Sequence, residues 1–259
     1  MKEKILAIFF TLMVIWVQGV LLFRNGVFDS QGNLIFYDFG AFRDVTVHLS
    51  LVGELLNRFP PTNFAAGGIA LKNYHYFFDV FLSIFAKIPG LSLLDLYFRI
   101  APVTLSIGLC AAIYFSTLQL TKKRIVAAFA IFFTVFATSF GPIVPFIKTF
   151  FGWNYVTGAG NIFMTDQIFP MMINPQGVLS LIIYLSIFLL FCRYERSRKI
   201  VSLVLISVLL GISFGVKAYG GILFAPAAIV ASLSFLVRKN DWKPFLTVGF
   251  GVILMGLWF

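Results

Sequence analysis

Apolar residues along this chain come in long, unbroken runs, at 5–23, 96–120, 125–147, 177–192, 200–216, 221–237 and 244–259. Crossing a hydrocarbon core takes about 20 apolar residues, within a range of roughly 17–25, so each run is predicted to be a membrane-spanning helix. The short alternating segments of a transmembrane barrel are absent from the pattern. An eighth stretch, 74–88, is shorter and carries His75, Asp79 and Lys87. The prediction is therefore an all-α, polytopic membrane protein with about seven transmembrane helices.

Composition agrees. Of 259 residues, 60% are hydrophobic and 12% charged, too greasy for a water-soluble core. Cys110 and Cys192 lie inside apolar runs and form no disulfide or zinc spacing. The opening MKEK and its apolar run exceed a usual signal peptide and lack a small-residue cleavage site, so they read as a retained anchor.

Charge orients the chain. Basic clusters fall at Lys2 and Lys4; Lys122, Lys123 and Arg124; Arg193, Arg196, Arg198 and Lys199; and Arg238, Lys239 and Lys243. The positive-inside rule places all four in the cytoplasm, with the N-terminus. Successive clusters must then be separated by an even number of crossings, so 74–88 is expected to be an interfacial helix that does not cross. These clusters hold 12 of the 20 basic residues against three acids, Glu3, Glu195 and Asp241, which accounts for +9 of the net +10. Such scattered connector charge is an address signal and argues against a nucleic-acid partner. The cell (plasma or inner) membrane is the expected location.

The organisation that follows is a single module, 1–259, with a first outward loop at 24–73, the interfacial helix at 74–88 and a second outward loop at 148–176. The last run stops at Trp258 and Phe259 without a polar flank, as in a piece of a longer protein.

The outward loops carry the chemistry. Val45, Leu49, Val52, Leu56 and Phe59 alternate steps of four and three, predicting an amphipathic helix along the outer surface that stops at Pro60 and Pro61. Asp44 and His48, one turn apart, share its mixed face. Asp44 is a candidate general base or metal ligand, with His48 orienting it or contacting phosphate; alternatively both hydrate the polar face of the helix. Asp29 and Asp38 are weaker candidates of the same kind. Gly67 and Gly68 permit a tight backbone, and Tyr74, His75 and Tyr76 suit an interfacial aromatic belt. Asp44, His48, His75 and Asp79 together are a candidate divalent-metal set, weighed against intrahelical pairing.

The run RDVTVHLSLVGELLNRFPPTNFAAGGIALKNYHYFFDVF resembles the first extracytoplasmic loop of GT-C superfamily glycosyltransferases, nearest to the Rgt-like members. An Asp-x-x-x-His pair, a Pro-Pro turn, a Gly-containing loop and a Tyr-His-Tyr segment occur in that order, closely over 39–81 and more loosely to 176. The resemblance implies short juxtamembrane helices in the first loop, and a sugar donor linked to polyprenyl phosphate. It also implies a glycan, lipid or protein acceptor hydroxyl, in the setting of cell-envelope glycan synthesis; the only candidate cofactor remains the divalent metal ion that the four-residue set above would hold. By motif position Asp44 is the implied catalytic base, and Asp166, the sole acid of the second loop, the implied second carboxylate. Many related sequences carry Arg after the Asn-Pro-Gln of 174–176, where this chain has Gly177. Lys217, Arg99 and Lys148 are candidates to hold the lipid phosphate in its place, and Gly215, Gly220 and Gly221 beside Lys217 would let a ligand approach. The alternatives from other classes are a secondary transporter or lipid-linked-oligosaccharide flippase, and a noncatalytic scaffold.

Overall fold

The computed structural model describes residues 2–23, 25–36, 39–63, 66–72, 74–136 and 174–256. Helices dominate: α1 (Lys2–Leu22), α2 (Phe39–Asn57), α3 (Phe77–Phe85), α4 (Leu93–Thr121), α5 (Arg124–Phe136), α6 (Pro175–Ser197), α7 (Ile200–Val216), α8 (Ala218–Lys239) and α9 (Lys243–Met255). Among the described residues, three helices are long and apolar enough to cross a membrane: Leu93–Thr121, Pro175–Ser197 and Gly220–Lys239. α4 opens with a π-helical stretch over Leu96–Ile100.

α1, α4 and α5 pack around Phe10, Val14, Leu109 and Ile131, while α7, α8 and α9 pack around Leu203, Ile206, Leu210 and Val248. α6 joins the two groups, because Val178 belongs to the first core and Ile183 and Ile187 to the second. Helices in lipid gain little from hydrophobic burial against one another, so close backbone approach through small residues matters more. Here a Cβ on Gly251 of α9 would stand 3.0 Å from Leu210 Cβ and 3.1 Å from the Ser207 carbonyl of α7. Gly220 lies so close to Ser180 that a Cβ would run into its hydroxyl, and Gly221 packs on the Phe214 backbone. The approach these last two glycines permit is thus made by neighbouring helices. The outer faces expose Ile8, Leu12, Trp16, Phe115, Val204 and Ile253, as lipid-facing surfaces should.

One end of the bundle gathers the basic connectors. Lys122, Arg198 and Asn240 end α4, α6 and α8 in the left-handed conformation, with φ of 58°, 53° and 48°. Asp241 accepts the Tyr194 hydroxyl at 2.8 Å and pairs with Arg198, and Lys239 meets Glu195 at 2.6 Å, tying the α6–α7 and α8–α9 connectors. Lys4 and Arg124 line one groove here, and Lys122, Arg124 and Arg196 another.

The opposite end carries α2, α3 and two hairpins that the helical periodicity did not predict. β1 (Val27–Phe28) pairs antiparallel with β2 (Leu34–Ile35) around a turn in which Asp29 Oδ1 accepts the amides of Gln31 and Asn33, both at 2.8 Å. β3 (Thr62–Asn63) pairs antiparallel with β4 (Ala66–Ala70), and Glu54 of α2 accepts the Thr62 hydroxyl at 2.5 Å. These are side-chain turn bonds, which compete locally with helix formation. α2 is also more enclosed than a surface helix. Val45 and Val52 pack on Phe78, Leu82 and Tyr97, and the neighbouring Leu51 and Leu55 pack on Leu71 and Tyr76. Phe59, at the end of the expected apolar stripe, is 70% exposed. α3 has nine residues, about 13 Å at ~1.5 Å each, less than half the ~30 Å hydrocarbon core.

Candidate functional site

Four elements converge on a buried polar chain at the end opposite the basic connectors. α2 supplies His48 and the first turn of α3 supplies Asp79. α6 supplies Gln176 from a first turn that the sequence itself specifies. Asn174 is the N-cap, accepting the Gly177 amide at 3.2 Å, and Pro175 occupies the first helical position, where its missing N–H costs nothing. Gln176, expected at the end of the second outward loop, is therefore a helix residue. Lys217 sits where α7 breaks into α8; its extended backbone, φ −157°, serves as C-cap of one helix and N-cap of the next.

Asp79 Oδ2 lies 2.8 Å from His48 Nδ1, Gln176 Nε2 lies 2.8 Å from both imidazole nitrogens, and Lys217 Nζ donates to Gln176 Oε1 at 3.5 Å. His48 and Gln176 are each 1% exposed, Asp79 is 0% and Lys217 8%.

Donor and acceptor chemistry orders this chain. An ammonium only donates, so the amide oxygen of Gln176 must face Lys217 and its NH2 must face the imidazole. That NH2 needs an acceptor nitrogen, and Nδ1 is engaged with the carboxylate, so Nε2 accepts from Gln176 and Nδ1–H donates to Asp79. A cation and a carboxylate are thereby linked through two neutral groups, which compensates both charges in a poorly solvated interior. It also leaves His48 without a lone pair for a metal ion. Among the described residues, no group of three His, Cys, Asp or Glu is arranged to hold one.

Tyr74 and His75 form the rim. Their rings stack at 4.6 Å, and lie 6.2 and 6.3 Å from the His48 ring; both side chains are half-buried. Of the expected site residues, His48, Asp79, His75 and Lys217 are thus brought together. Arg99 is engaged elsewhere, donating to the carbonyls of Phe23, Asn25 and Gly26 and pairing with Asp95 at 3.1 Å, which ties the β1–β2 hairpin to α4. Asp29 is a turn-former whose carboxyl is held below its usual range chiefly by the Asn33 side chain. Asp44 lies one turn before His48 in α2, but its side chain, like Asp38, Lys148 and Asp166, is outside the described residues. Gln176 was not among the expected site residues; the Asn-Pro pair ahead of it, a helix-start signal, is what could have placed it at the mouth of a helix.

No family model matches the chain, and neither a curated protein nor a solved structure does.

Proposed function

We propose that the chain is a GT-C-type membrane glycosyltransferase module that moves a sugar from a polyprenyl-phosphate donor to an acceptor hydroxyl on the extracytoplasmic face. It crosses the plasma or inner membrane about seven times with its N-terminus in the cytoplasm, and 74–88 stays in the outer interface. The observation carrying this reading is that the Asp-x-x-x-His segment delivers His48 into the buried chain with Asp79, Gln176 and Lys217, beside the Tyr74–His75 rim.

In this scheme Asp44 takes the proton of the acceptor hydroxyl. The oxygen attacks the anomeric carbon as the bond from that carbon to the lipid phosphate breaks, inverting the centre and releasing polyprenyl phosphate. Lys217 stabilises the departing phosphate, where a cation in a poorly solvated site acts strongly. It takes the role that the resemblance gives to an Arg at the position of Gly177. His48 is enclosed, so it acts as a positioning residue: with Asp79 and Gln176 it holds the lysine and the rim in place. Asp166 and Lys148 are the second carboxylate and cation of the scheme. His48, engaged at both imidazole nitrogens, is not a metal ligand in this scheme.

The test uses purified protein with a fluorescent polyprenyl-phosphate sugar library. Asp44→Asn is expected to lower transfer at least a hundredfold with unchanged thermal stability, and wild-type transfer by that variant would remove Asp44 as base. A buried Asp–His–Gln–Lys chain also suits a proton-coupled transporter or flippase. Solute uptake or lipid scrambling in proteoliposomes without sugar transfer would favour that second reading.

A further inference from the structure

At the basic end of the bundle two cavities share a wall. The first, of about 670 Å³, lies along α1 and α4, walled by Ile8, Leu12, Ile107 and Ala111, with Lys4 and Arg124 also lining it. The second, of about 600 Å³, lies between α4 and α6, where Lys122, Arg124 and Arg196 surround it over Phe115 and Leu118. Arg124, Phe115 and Leu118 line both. Among the described residues lining either cavity there is no Asp or Glu. Two acids stand near but outside both linings: Glu195 pairs with Lys239 and is also within reach of the Arg196 charge, and Glu3, on α1, has its carboxyl held low chiefly by a backbone hydrogen bond and least by Arg124.

An apolar groove adjoining a cationic pocket describes a particular kind of ligand, a long hydrocarbon chain ending in an anion. Dimensions narrow it further. From Ile107 to Leu118, α4 rises about 16 Å, half of a ~30 Å hydrocarbon core and so the depth of one leaflet. We infer that the two cavities bind an anionic glycerophospholipid of the leaflet at the basic end. Its phosphate sits among Lys122, Arg124 and Arg196, and one acyl chain lies along the α1–α4 groove. A zwitterionic headgroup would bring its own cation against these three, whereas basic pockets between helices on this side of a membrane select anionic lipid. The site lies at the opposite end of the bundle from the His48 chain and does not depend on what that chain does.

Full-length protein in nanodiscs of phosphatidylcholine with phosphatidylglycerol, followed by native mass spectrometry of retained lipid, tests this. Wild type is expected to retain phosphatidylglycerol in preference to phosphatidylcholine. Each basic residue removed should cost about fivefold in retention, so Arg124→Gln with Arg196→Gln should cost more than tenfold. Ala111→Phe, which fills the groove without changing charge, should also lower retention severalfold, and Lys243→Gln, an exposed lysine of the same end that lines neither cavity, should leave it within twofold. Equal retention of the two lipids, an equal loss in Lys243→Gln, undiminished retention in Ala111→Phe, or displacement of phosphatidylglycerol by equimolar polyprenyl phosphate would each overturn the assignment. Monodisperse elution and unchanged helix content verify that each variant is folded.

Discussion

His48 and Asp79 are 31 residues apart and meet through a 2.8 Å hydrogen bond between two fully enclosed side chains. Both belong to one-turn pairs in the sequence, Asp44 with His48 and His75 with Asp79. The structure pairs the histidine of the first with the aspartate of the second. Breaking a buried compensated pair from one side costs about 3–5 kcal/mol, because the remaining charge stays desolvated. Asp79→Ala is therefore expected to lower the unfolding temperature in detergent sharply, and Asp79→Ala with Lys217→Met to recover part of the loss. A double variant no more stable than the sum of its parts would mean that the two charges do not compensate each other.

The direction of the chain can be read spectroscopically, since the protein has only two histidines. Nitrogen-15 shifts of labelled protein should show His48 protonated at Nδ1 and accepting at Nε2. Gln176→Leu removes the donor to Nε2 and leaves that buried acceptor without it, which costs about 1–3 kcal/mol. The tautomer preference should weaken along with thermal stability. An Nε2–H tautomer in the wild type would reverse the order of donors argued for the site.

Gly220 and Ser180 make a steric pair. Overpacking of this kind costs about 1–3 kcal/mol, so Gly220→Ala should lower thermal stability. Ser180→Gly in the same chain should restore much of it. Equal damage with and without Ser180 would place the glycine's role elsewhere.

Topology has its own experiment. In a chain whose Cys110 and Cys192 are replaced by serine, Lys87→Cys should react with a membrane-impermeant thiol reagent from outside intact cells. Asn240→Cys should react only after permeabilisation. Labelling of Lys87→Cys solely from the cytoplasmic side would mean that the 74–88 stretch crosses.

Glu54 supplies a pH signature for the second hairpin. Its carboxyl is held below its usual value, chiefly by the Thr62 hydroxyl and then by the Thr62 amide. A depressed folded pKa means that the bond's contribution is complete above the ordinary carboxylate range and is lost as pH falls through the lower folded value. The protection factor of the Leu71 amide, bonded to the Pro61 carbonyl at 2.7 Å, should therefore fall on acidification in the wild type once the intrinsic pH dependence of exchange is divided out. In Thr62→Val the protection should be lower already and nearly independent of pH over that window.

Much of the helical frame was legible in the residues. The runs at 96–120, 177–192 and 200–216 anticipate α4, α6 and α7 closely, because hydropathy and length are properties of the local chain. The two hairpins were not anticipated, since Asp29 and Glu54 act there as hydrogen-bond acceptors for nearby turns, which leaves no periodic trace. Arg99 looked like a cation awaiting an anion, yet backbone carbonyls 73 to 76 residues away hold it.

Apolar run lengths determine that this is a helical chain suited to a membrane, and the spacing of Lys and Arg determines which connectors belong together. Both are sums over neighbouring residues, and a linear reading captures them. Which polar residues meet was decided only by tertiary packing. His48 lies 128 residues from Gln176, and Gln176 lies 41 from Lys217. Nothing local couples those positions. They are joined because α2, α3, α6 and the α7–α8 break converge at one end of the bundle, where a poorly solvated interior favours polar groups that hydrogen-bond one another.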